Sequence, residues 1–570
     1  MADDAQTIRN INWRELFPFT NLFRTFRIAI HPSKLVLGLA LLFLVYAGGR
    51  TLDWIWPVRS YAVADEIDRY EAFRWAHARG PSFEDHRQAM REANAESYAS
   101  RLMADKIVTD PAAAHEAALR GEYKGSLRGN IVKARNEEIA KAQTARAEAL
   151  KTAKTDEERR QINAASDEAI AGAQQKADEE LRSLNAISPR AIFDTFFEYE
   201  ARQFHNIVDN AVTWNWLNGV LTASPSEPPS IVGRHPTDVR GINPVGVLRG
   251  IANLTSVGPA WLIRYHLLYF ILFAIWFLIV WAIFGGALSR IAAVHVARDE
   301  KISVRQALRF STSKLLSFVF APVIPLIIIL AAGALIALGG LLMYLPVVGP
   351  ILVGLLFVLP LVAAFVMTLV AAGTVGGFNL MYPTIAVEGS DSFDAISRSF
   401  SYVFARPWRM IFYTALSLIY GALCFLFVRY FVYVMLGLTH FFVQWWLGGQ
   451  PARYWPEIWP PISDQDLSYH INFQALAWSE QISAFLISFW VYLVLTLMAA
   501  FVISFYFSAN TIIYFLMRRE VDATELDDVY VEETEEDFGE PIPTVTAVGG
   551  IAVVSATTPA PESPSSPSPS

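Results

Sequence analysis

Long apolar runs divide this chain unevenly. One run lies near the start, from Leu35 to Trp56, and the others follow only after the polar residues 58–257. A helix needs roughly 20 apolar residues to cross the hydrocarbon core of a bilayer. The later runs satisfy this and fall at about 261–289, 315–344, 351–378, 411–436 and 482–517. The pattern therefore predicts an all-α, polytopic helical membrane protein with about six transmembrane helices.

The same pattern predicts five segments. They are an N-terminal segment with an interfacial helix at 1–34, transmembrane helix 1 at 35–57, a helical insert at 58–257, a bundle of transmembrane helices 2–6 at 258–517 and a tail at 518–570. Within residues 11–31, apolar side chains alternate with arginines, which suits an anionic membrane surface. Packing of this segment against the bundle is the alternative.

The middle of the insert has the composition of long helices. Residues 112–184 are rich in Ala, Glu, Lys, Arg and Gln, and a break falls at 151–156. Thr155 and Glu158 have capping-box spacing, so a second helix is expected to begin there. We predict a coiled-coil hairpin at about 112–185, with a single projecting helix as the alternative. The next helix has an aromatic face from Ile192 to Val208, which must be buried either on the hairpin or on the membrane.

Composition supports the membrane prediction and separates the tail from the rest. The chain is 53% hydrophobic and carries a net charge of −8. Residues 520–570 contain acids but no Lys or Arg, so the remainder is slightly basic. The tail is acidic to Glu540 and then rich in Pro, Ser, Thr and Ala, which predicts disorder. The lone cysteine, Cys424, lies in an apolar run and is expected to pack there.

Basic residues in the short loops predict the orientation. With six spans, four basic clusters fall on one side, which the positive-inside rule makes cytoplasmic. We therefore expect a multi-pass protein of the inner (cytoplasmic) membrane, with both termini cytoplasmic and the insert extracytoplasmic. The clusters are Arg24, Arg27 and Lys34; Arg290, Arg298, Lys301, Arg305, Arg309 and Lys314; Arg398, Arg406 and Arg409; and Arg518 and Arg519.

Two of the basic loops share a motif. Ser303 and Arg309 in one loop match Ser392 and Arg398 in the other, each pair in an amphipathic segment that leads into a span. The match suggests a duplicated unit of span, surface helix and span. Such repeats occur in transporters and also in membrane scaffolds.

The second copy of this motif also carries a family resemblance. The segment Tyr382–Phe400, followed by Ala405-Arg-Pro-Trp-Arg409, resembles the cytoplasmic helix of a family of bacterial polytopic membrane proteins. That family is loosely similar to the membrane domain associated with some glycerophosphodiester phosphodiesterases. The resemblance covers about residues 260–520 and lacks the hydrolase's catalytic domain, so it implies a membrane architecture and no activity.

A few residues inside the spans are candidates for function. Arg429, Arg264 and His266 are candidates for a lipid or anion contact near one end of their helices. Gly373 and Gly377 have the small-xxx-small spacing of close helix packing.

The sequence contains no catalytic set and no metal-ligand or cofactor motif, and it predicts no nucleic-acid partner. We expect a non-enzymatic scaffold or component of a membrane assembly, in contact with the lipid bilayer and with protein partners at the insert and the acidic tail. The alternative is a transporter or lipid-handling permease built on the repeated unit.

Overall fold

The computed structural model describes residues 17–57, 61–75, 82–213, 215–216, 246–447, 455–462, 467, 469, 471, 476 and 478–530. These residues are helical apart from turns and one isolated bridge between Ala62 and Arg190. The predicted all-α class is confirmed.

The helices of the described residues differ greatly in length. After a 3-10 helix at Pro18–Arg24, they are α1 Thr25–Ala29, α2 Pro32–Ile55, α3 Glu66–Trp75, α4 Phe83–Ala104, α5 Pro111–Arg120, α6 Lys124–Thr152, α7 Asp156–Ile187, α8 Ile192–Val212, α9 Val247–Tyr265, α10 Leu267–Arg298, α11 Val304–Ser313, α12 Leu315–Gly340, α13 Val348–Leu356, α14 Val358–Glu388, α15 Ser392–Ala405, α16 Pro407–Trp445 and α17 Trp478–Asp522.

Six of these helices are long and apolar enough to cross a membrane, namely α2, α10, α12, α14, α16 and α17. The chain is therefore an integral membrane protein. Several boundaries differ from the sequence prediction; the fourth span, for example, is Val358–Glu388 rather than 351–378. The backbone breaks at His266, so residues 261–265 belong to α9 rather than to the second span. The last span continues past the expected end at 517, as far as Asp522.

Three of the spans form the centre of the bundle. Helices α10, α14 and α17 all contact one another. Each has a nearly continuous buried stretch toward its C-terminal end, at 285–295, 380–387 and 500–517. Aromatic rings fill the space between them: Trp281 lies 5.1 Å and Tyr382 6.2 Å from Phe507, between ring centroids. We name this end of the bundle the short-helix face, because a short helix packs on each central helix there.

Each central helix carries a short helix on this face. The short helix α1 packs on α17, α11 on α10 and α15 on α14. After each short helix the chain turns, at His31, Lys314 and Arg406 respectively, and enters an outer span. The outer spans α2, α12 and α16 pack on α10, α14 and α17 respectively, so each begins at one central helix and contacts the next. Three units of the same architecture surround the centre.

The short helices dock through small residues. A Cβ added at Gly286 of α10 would meet Ser311 of α11, and one added at Gly377 of α14 would meet Ser399 of α15. Gly373 similarly faces the ring of Phe400. Because glycine has no side chain, these helices approach more closely than larger residues allow.

The capping residues align two of the units differently from the sequence motif. Ser303 caps α11 through a capping box, whereas Asp391 caps α15 and Ser392 is its buried first residue. Counted from the caps, Ser311 and Ser399 occupy the same position. Arg309 and Arg398 differ by one position, so the structural match lies one residue away from the predicted one.

The structure distinguishes between the alternatives stated for the N-terminal segment and for the hairpin. Leu22, Ile28 and Ala29 are buried in the bundle, so the described part of this segment packs on the spans. The capping box of Thr155 and Glu158 is present, and α6 and α7 pack on each other as a hairpin rather than as one projecting helix. A supercoil with a regular heptad seam stays a prediction.

Close packing at Gly286 gives the first testable prediction. Gly286→Val should lower the free energy of unfolding by about 1–3 kcal/mol, because the new side chain overlaps Ser311 and Phe318. The midpoint of thermal unfolding of the detergent-purified protein measures the loss. Gly339→Val is the matched control, since an added Cβ at Gly339 meets nothing within 4 Å. Equal midpoints for the two variants would contradict this packing.

Candidate functional site: the root of the insert

The insert is joined to the spans through a buried polar cluster. We name the root the contact region formed by α3, α8, α9 and the start of α4 with the adjoining ends of α2 and α10. Its clusters bring together groups from distant parts of the sequence, so the tertiary fold alone creates them. The root lies at the end of the bundle opposite the short-helix face, which we name the insert face.

Glu66 is the centre of the root. Its side chain is fully buried, and that of Arg87 is 8% exposed. One Glu66 oxygen accepts hydrogen bonds from Arg87 Nε at 2.6 Å and from Trp261 Nε1 at 2.9 Å, and the other accepts one from the backbone N–H of Val63 at 2.8 Å. The carboxylate therefore has its charge paired and both oxygens bonded, as a charge removed from water requires.

Arg87 also contacts His266, the residue that precedes the second span. Its Nη2 lies 3.2 Å from Nε2 of His266, the residue at the break between α9 and α10. Burial, and then the positive charges of Arg87 and Arg91, lower the pKa of His266 to about 3. The imidazole is therefore neutral near pH 7, and its Nε2 can accept a hydrogen bond from Arg87. Helices α3, α4, α9 and α10 meet at this chain of contacts.

A second carboxylate connects α3 to α8 and α9. Glu71 accepts hydrogen bonds from Asn253 Nδ2 at 2.6 Å and from the Tyr199 hydroxyl at 2.8 Å. Burial raises its pKa, and the Tyr199 hydrogen bond opposes that shift. On the same helix, Asp68 forms an ion pair with Arg202 at 2.6 Å. Asp68 and Glu71, one helical turn apart on α3, thus bind both α8 and α9.

Asp53, near the end of α2, holds the start of α8. Its Oδ1 accepts hydrogen bonds from the backbone N–H of Phe193 at 3.0 Å and from the Tyr269 hydroxyl at 2.9 Å. Phe193 lies in the first turn of α8, where unpaired N–H groups and the helix dipole favour an anion. Arg50 also pairs with Asp194 of that turn. The first span and α8 are therefore joined by charge as well as by packing.

The aromatic face of α8 lies on the spans. Phe193 meets Gly49 of α2, and Phe197 lies 5.6 Å from Tyr46, between ring centroids. Farther along α8, Phe204 lies 5.8 Å from Phe425 of α16. The face therefore packs on protein spans, a contact that neither predicted position, on the hairpin or on the membrane, describes. Helix α8 bridges the first and fifth spans.

The side chain of Glu200 on α8 is buried against α9, and its protonation differs from that of an exposed glutamate. Its carboxylate packs on Gly258, and within the described residues its buried Oε1 has no hydrogen-bond partner. Burial raises the pKa of Glu200 to about 8. A carboxyl group in this environment is largely protonated at pH 7, which reduces the cost of burying it.

The predicted site residues go to separate places. His266 is in the root, and Arg264 is exposed on α9. Arg429 lies 3.5 Å from Asp209 of α8, between side-chain nitrogen and oxygen, so it helps to hold the insert. Gly373 and Gly377 dock α15. On the opposite face, Ser303 caps α11, Ser392 is buried, Arg309 is exposed and Arg398 binds Glu388 at 2.9 Å.

Sequence reasoning missed Glu66, Arg87 and Asp53. Asp53 carried a signal, because a carboxylate that ends an apolar run needs a partner. Glu66 and Arg87 look like ordinary surface charges of polar helices, and only tertiary contact shows that they are buried.

The described contacts of the root join helices to one another. Among the described residues, no group of three or more His, Cys, Asp and Glu side chains could hold a metal ion. The Glu66 oxygens and the Arg87 donors face protein groups instead of a cleft. Comparison with protein-family models, curated proteins and solved structures finds no match to this chain.

Glu200 gives a prediction about pH. In the folded protein its pKa is raised from 4.5 to about 8, so the folded state holds a proton that the unfolded state has lost between those values. The contribution of Glu200 to stability therefore falls as pH rises through this range. The free energy of unfolding of Glu200→Gln should equal that of the parent below about pH 5. At about pH 8 it should be higher than that of the parent by up to a few kcal/mol.

Thermal unfolding of both proteins across this pH range provides the measurement. Glu198→Gln is the control, because Glu198 is exposed and forms a surface ion pair with Arg190. It should show no gain as pH rises. A constant difference between the parent and Glu200→Gln at every pH would refute the buried, protonated carboxyl.

Proposed function

We propose that this integral membrane protein is a non-enzymatic scaffold or assembly component of a bacterial inner membrane, which holds a helical arm in a fixed position. The arm is the α6–α7 hairpin. The orientation proposed from the basic loops puts the insert face outside the cytoplasm and the short-helix face inside. The family resemblance of residues 260–520 belongs to the same proposal and concerns architecture only.

The observation that carries the proposal is the buried ion pair of the root. Separating Arg87 from Glu66 would leave a buried charge without its partner, at a cost of about 3–5 kcal/mol. A flexible tether has no need of such a pair. The insert is therefore expected to keep one orientation on the spans, which suits a part that positions another molecule.

The arm has a supported base and an exposed distal half. Leu127, Ile131, Ala177 and Leu184 pack into one core with α4 and α5. Farther out, Gln174 of α7 contacts Glu457 at 3.5 Å, so the arm also rests on the segment between the last two spans. With 32 residues in α7, the arm is about 48 Å long at 1.5 Å per residue.

The distal half presents charges of both signs. Most side chains at 140–168 are exposed, and six acidic and six basic residues are interspersed there. A nucleic acid or an anionic lipid surface would require an excess of positive charge. A mixed surface of this kind supports a protein partner, held by several weak contacts along two helices.

A transporter or lipid-handling permease is the second candidate, and the three repeated units favour it. The centre of the bundle counts against it, because Trp281, Tyr382 and Phe507 fill the space between the central helices. Arg429 pairs with the insert through Asp209 and lies away from that centre. The scaffold is therefore the better supported of the two.

Site-specific photocrosslinking in native membranes tests the scaffold function. A photoreactive residue at Ala147 or Ala164, both exposed on the distal half, should give one defined protein adduct. The control is the same residue at Ala112, which is exposed at the base of the arm and should give none.

A second variant links the adduct to the arm's position. Arg87→Met should weaken the adduct severalfold while the protein remains in the membrane, because the root no longer fixes the arm. The proposal would be contradicted if neither distal position gave a protein adduct, or if Ala112 gave an adduct in equal yield.

A further inference from the structure

The short helix α11 has an exposed basic side that no described residue covers. Arg305 and Arg309 are exposed on it, and Lys301 is exposed just before it. Among the described residues, none of the three forms an ion pair with an acid. We name these three residues the basic side of α11. The nearby acids are Glu300, which is exposed, and Asp299, which lies 3.8 Å from Arg24 and 3.5 Å from His295.

Four other basic residues of the short-helix face have described partners. Arg398 binds Glu388, Arg409 binds Glu520, and Arg518 binds both Glu388 and Asp528. Arg290 donates hydrogen bonds to the carbonyl groups of Ala386 and Tyr530. Unlike these four residues, Lys301, Arg305 and Arg309 have no side-chain ion pair or hydrogen bond among the described residues.

The described chain ends beside α11. The N–H of Tyr530 donates to the carbonyl of Val387 at 2.7 Å, and its own carbonyl accepts from Arg290 at 2.7 Å. The same Arg290 guanidinium lies 4.4 Å from the ring centroid of Phe310 in α11. Lys314, at the end of α11, donates to Gly389, the residue on which the Tyr530 ring packs. Arg290 and Gly389 thus each contact both Tyr530 and a residue of α11 or its C-terminal end.

The residues that follow Tyr530 carry the complementary charge. Residues 531–540 contain six acids and no basic residue: Glu532, Glu533, Glu535, Glu536, Asp537 and Glu540. Ten residues can extend to about 33 Å, whereas α11 is about 15 Å long. The segment is therefore long enough to pass along the whole basic side. Opposite charges held this close by the chain have a high effective concentration.

We propose that residues 532–540 bind to the basic side of α11 and cover it. The acidic segment is then a tethered occupant of a surface that an anionic lipid headgroup or an acidic protein would otherwise contact. Its release would expose Arg305 and Arg309 on the short-helix face. This interaction is independent of the insert and of the scaffold function proposed above.

Paired cysteines in the full-length protein test the proposal. Cys424→Ala removes the native thiol, and Thr312→Cys on α11 is combined with Thr534→Cys in the acidic segment. Both changes leave every charge in place. After oxidation in native membranes, mass spectrometry should detect the 312–534 disulfide within one chain. The matched control combines Thr534→Cys with Ser401→Cys, which is exposed on α15, and should give a severalfold lower yield.

Salt and charge reversal separate a specific contact from random collision. The 312–534 yield should fall severalfold in high salt and in the Arg305→Glu, Arg309→Glu variant, because both weaken the attraction. Equal yields at 312 and 401, insensitivity to salt and charge, or linkage mainly between two chains would overturn the proposal. Loss of the disulfide when anionic lipid is added to a neutral-lipid reconstitution would also overturn it, since lipid would then be the occupant.

Discussion

The buried pair between Glu66 and Arg87 is the contact on which the arrangement of this protein depends. It joins two helices of the insert to Trp261 and His266, where the chain enters its second span. A buried charge pair tolerates little movement, because separation would leave the Glu66 carboxylate without its charged partner. The pair thus makes a polar insert of long charged helices part of the membrane-embedded body. Asp53 and Glu71 add two further attachments of the same kind.

The bundle has a different principle, which is repetition. Three central helices meet through buried stretches, and three short helices lie on them and lead into outer spans. Small residues make this possible, since Gly286 and Gly377 let Ser311 and Ser399 approach. The unit that begins with residues 18–29 obtains its central helix from the other end of the chain. The first and last spans therefore complete each other, and Ser504 of α17 donates a hydrogen bond to the carbonyl of Ala29.

Sequence alone predicted what local patterns determine. Apolar run lengths gave the six spans, and the capping box at Thr155 gave the hairpin break. The root could not be predicted, because Glu66 and Arg87 follow the same pattern as exposed helix residues and become special only by tertiary contact. The third unit was missed for a related reason: α1 has five residues, too few for a period. The end of the last span was placed too early because Arg518 and Glu520 look like tail residues until their ion pairs are seen.

The central claim is that the root fixes the insert on the spans, and a distance between spin labels tests it most directly. In a Cys424→Ala background, labels at Gln175→Cys on α7 and Thr439→Cys on α16 report the position of the arm relative to the bundle. Both positions are exposed. The account predicts one narrow distance distribution in lipid, which broadens when Arg87→Met breaks the buried pair. A broad distribution in the parent, or an unchanged narrow one in Arg87→Met, would contradict it.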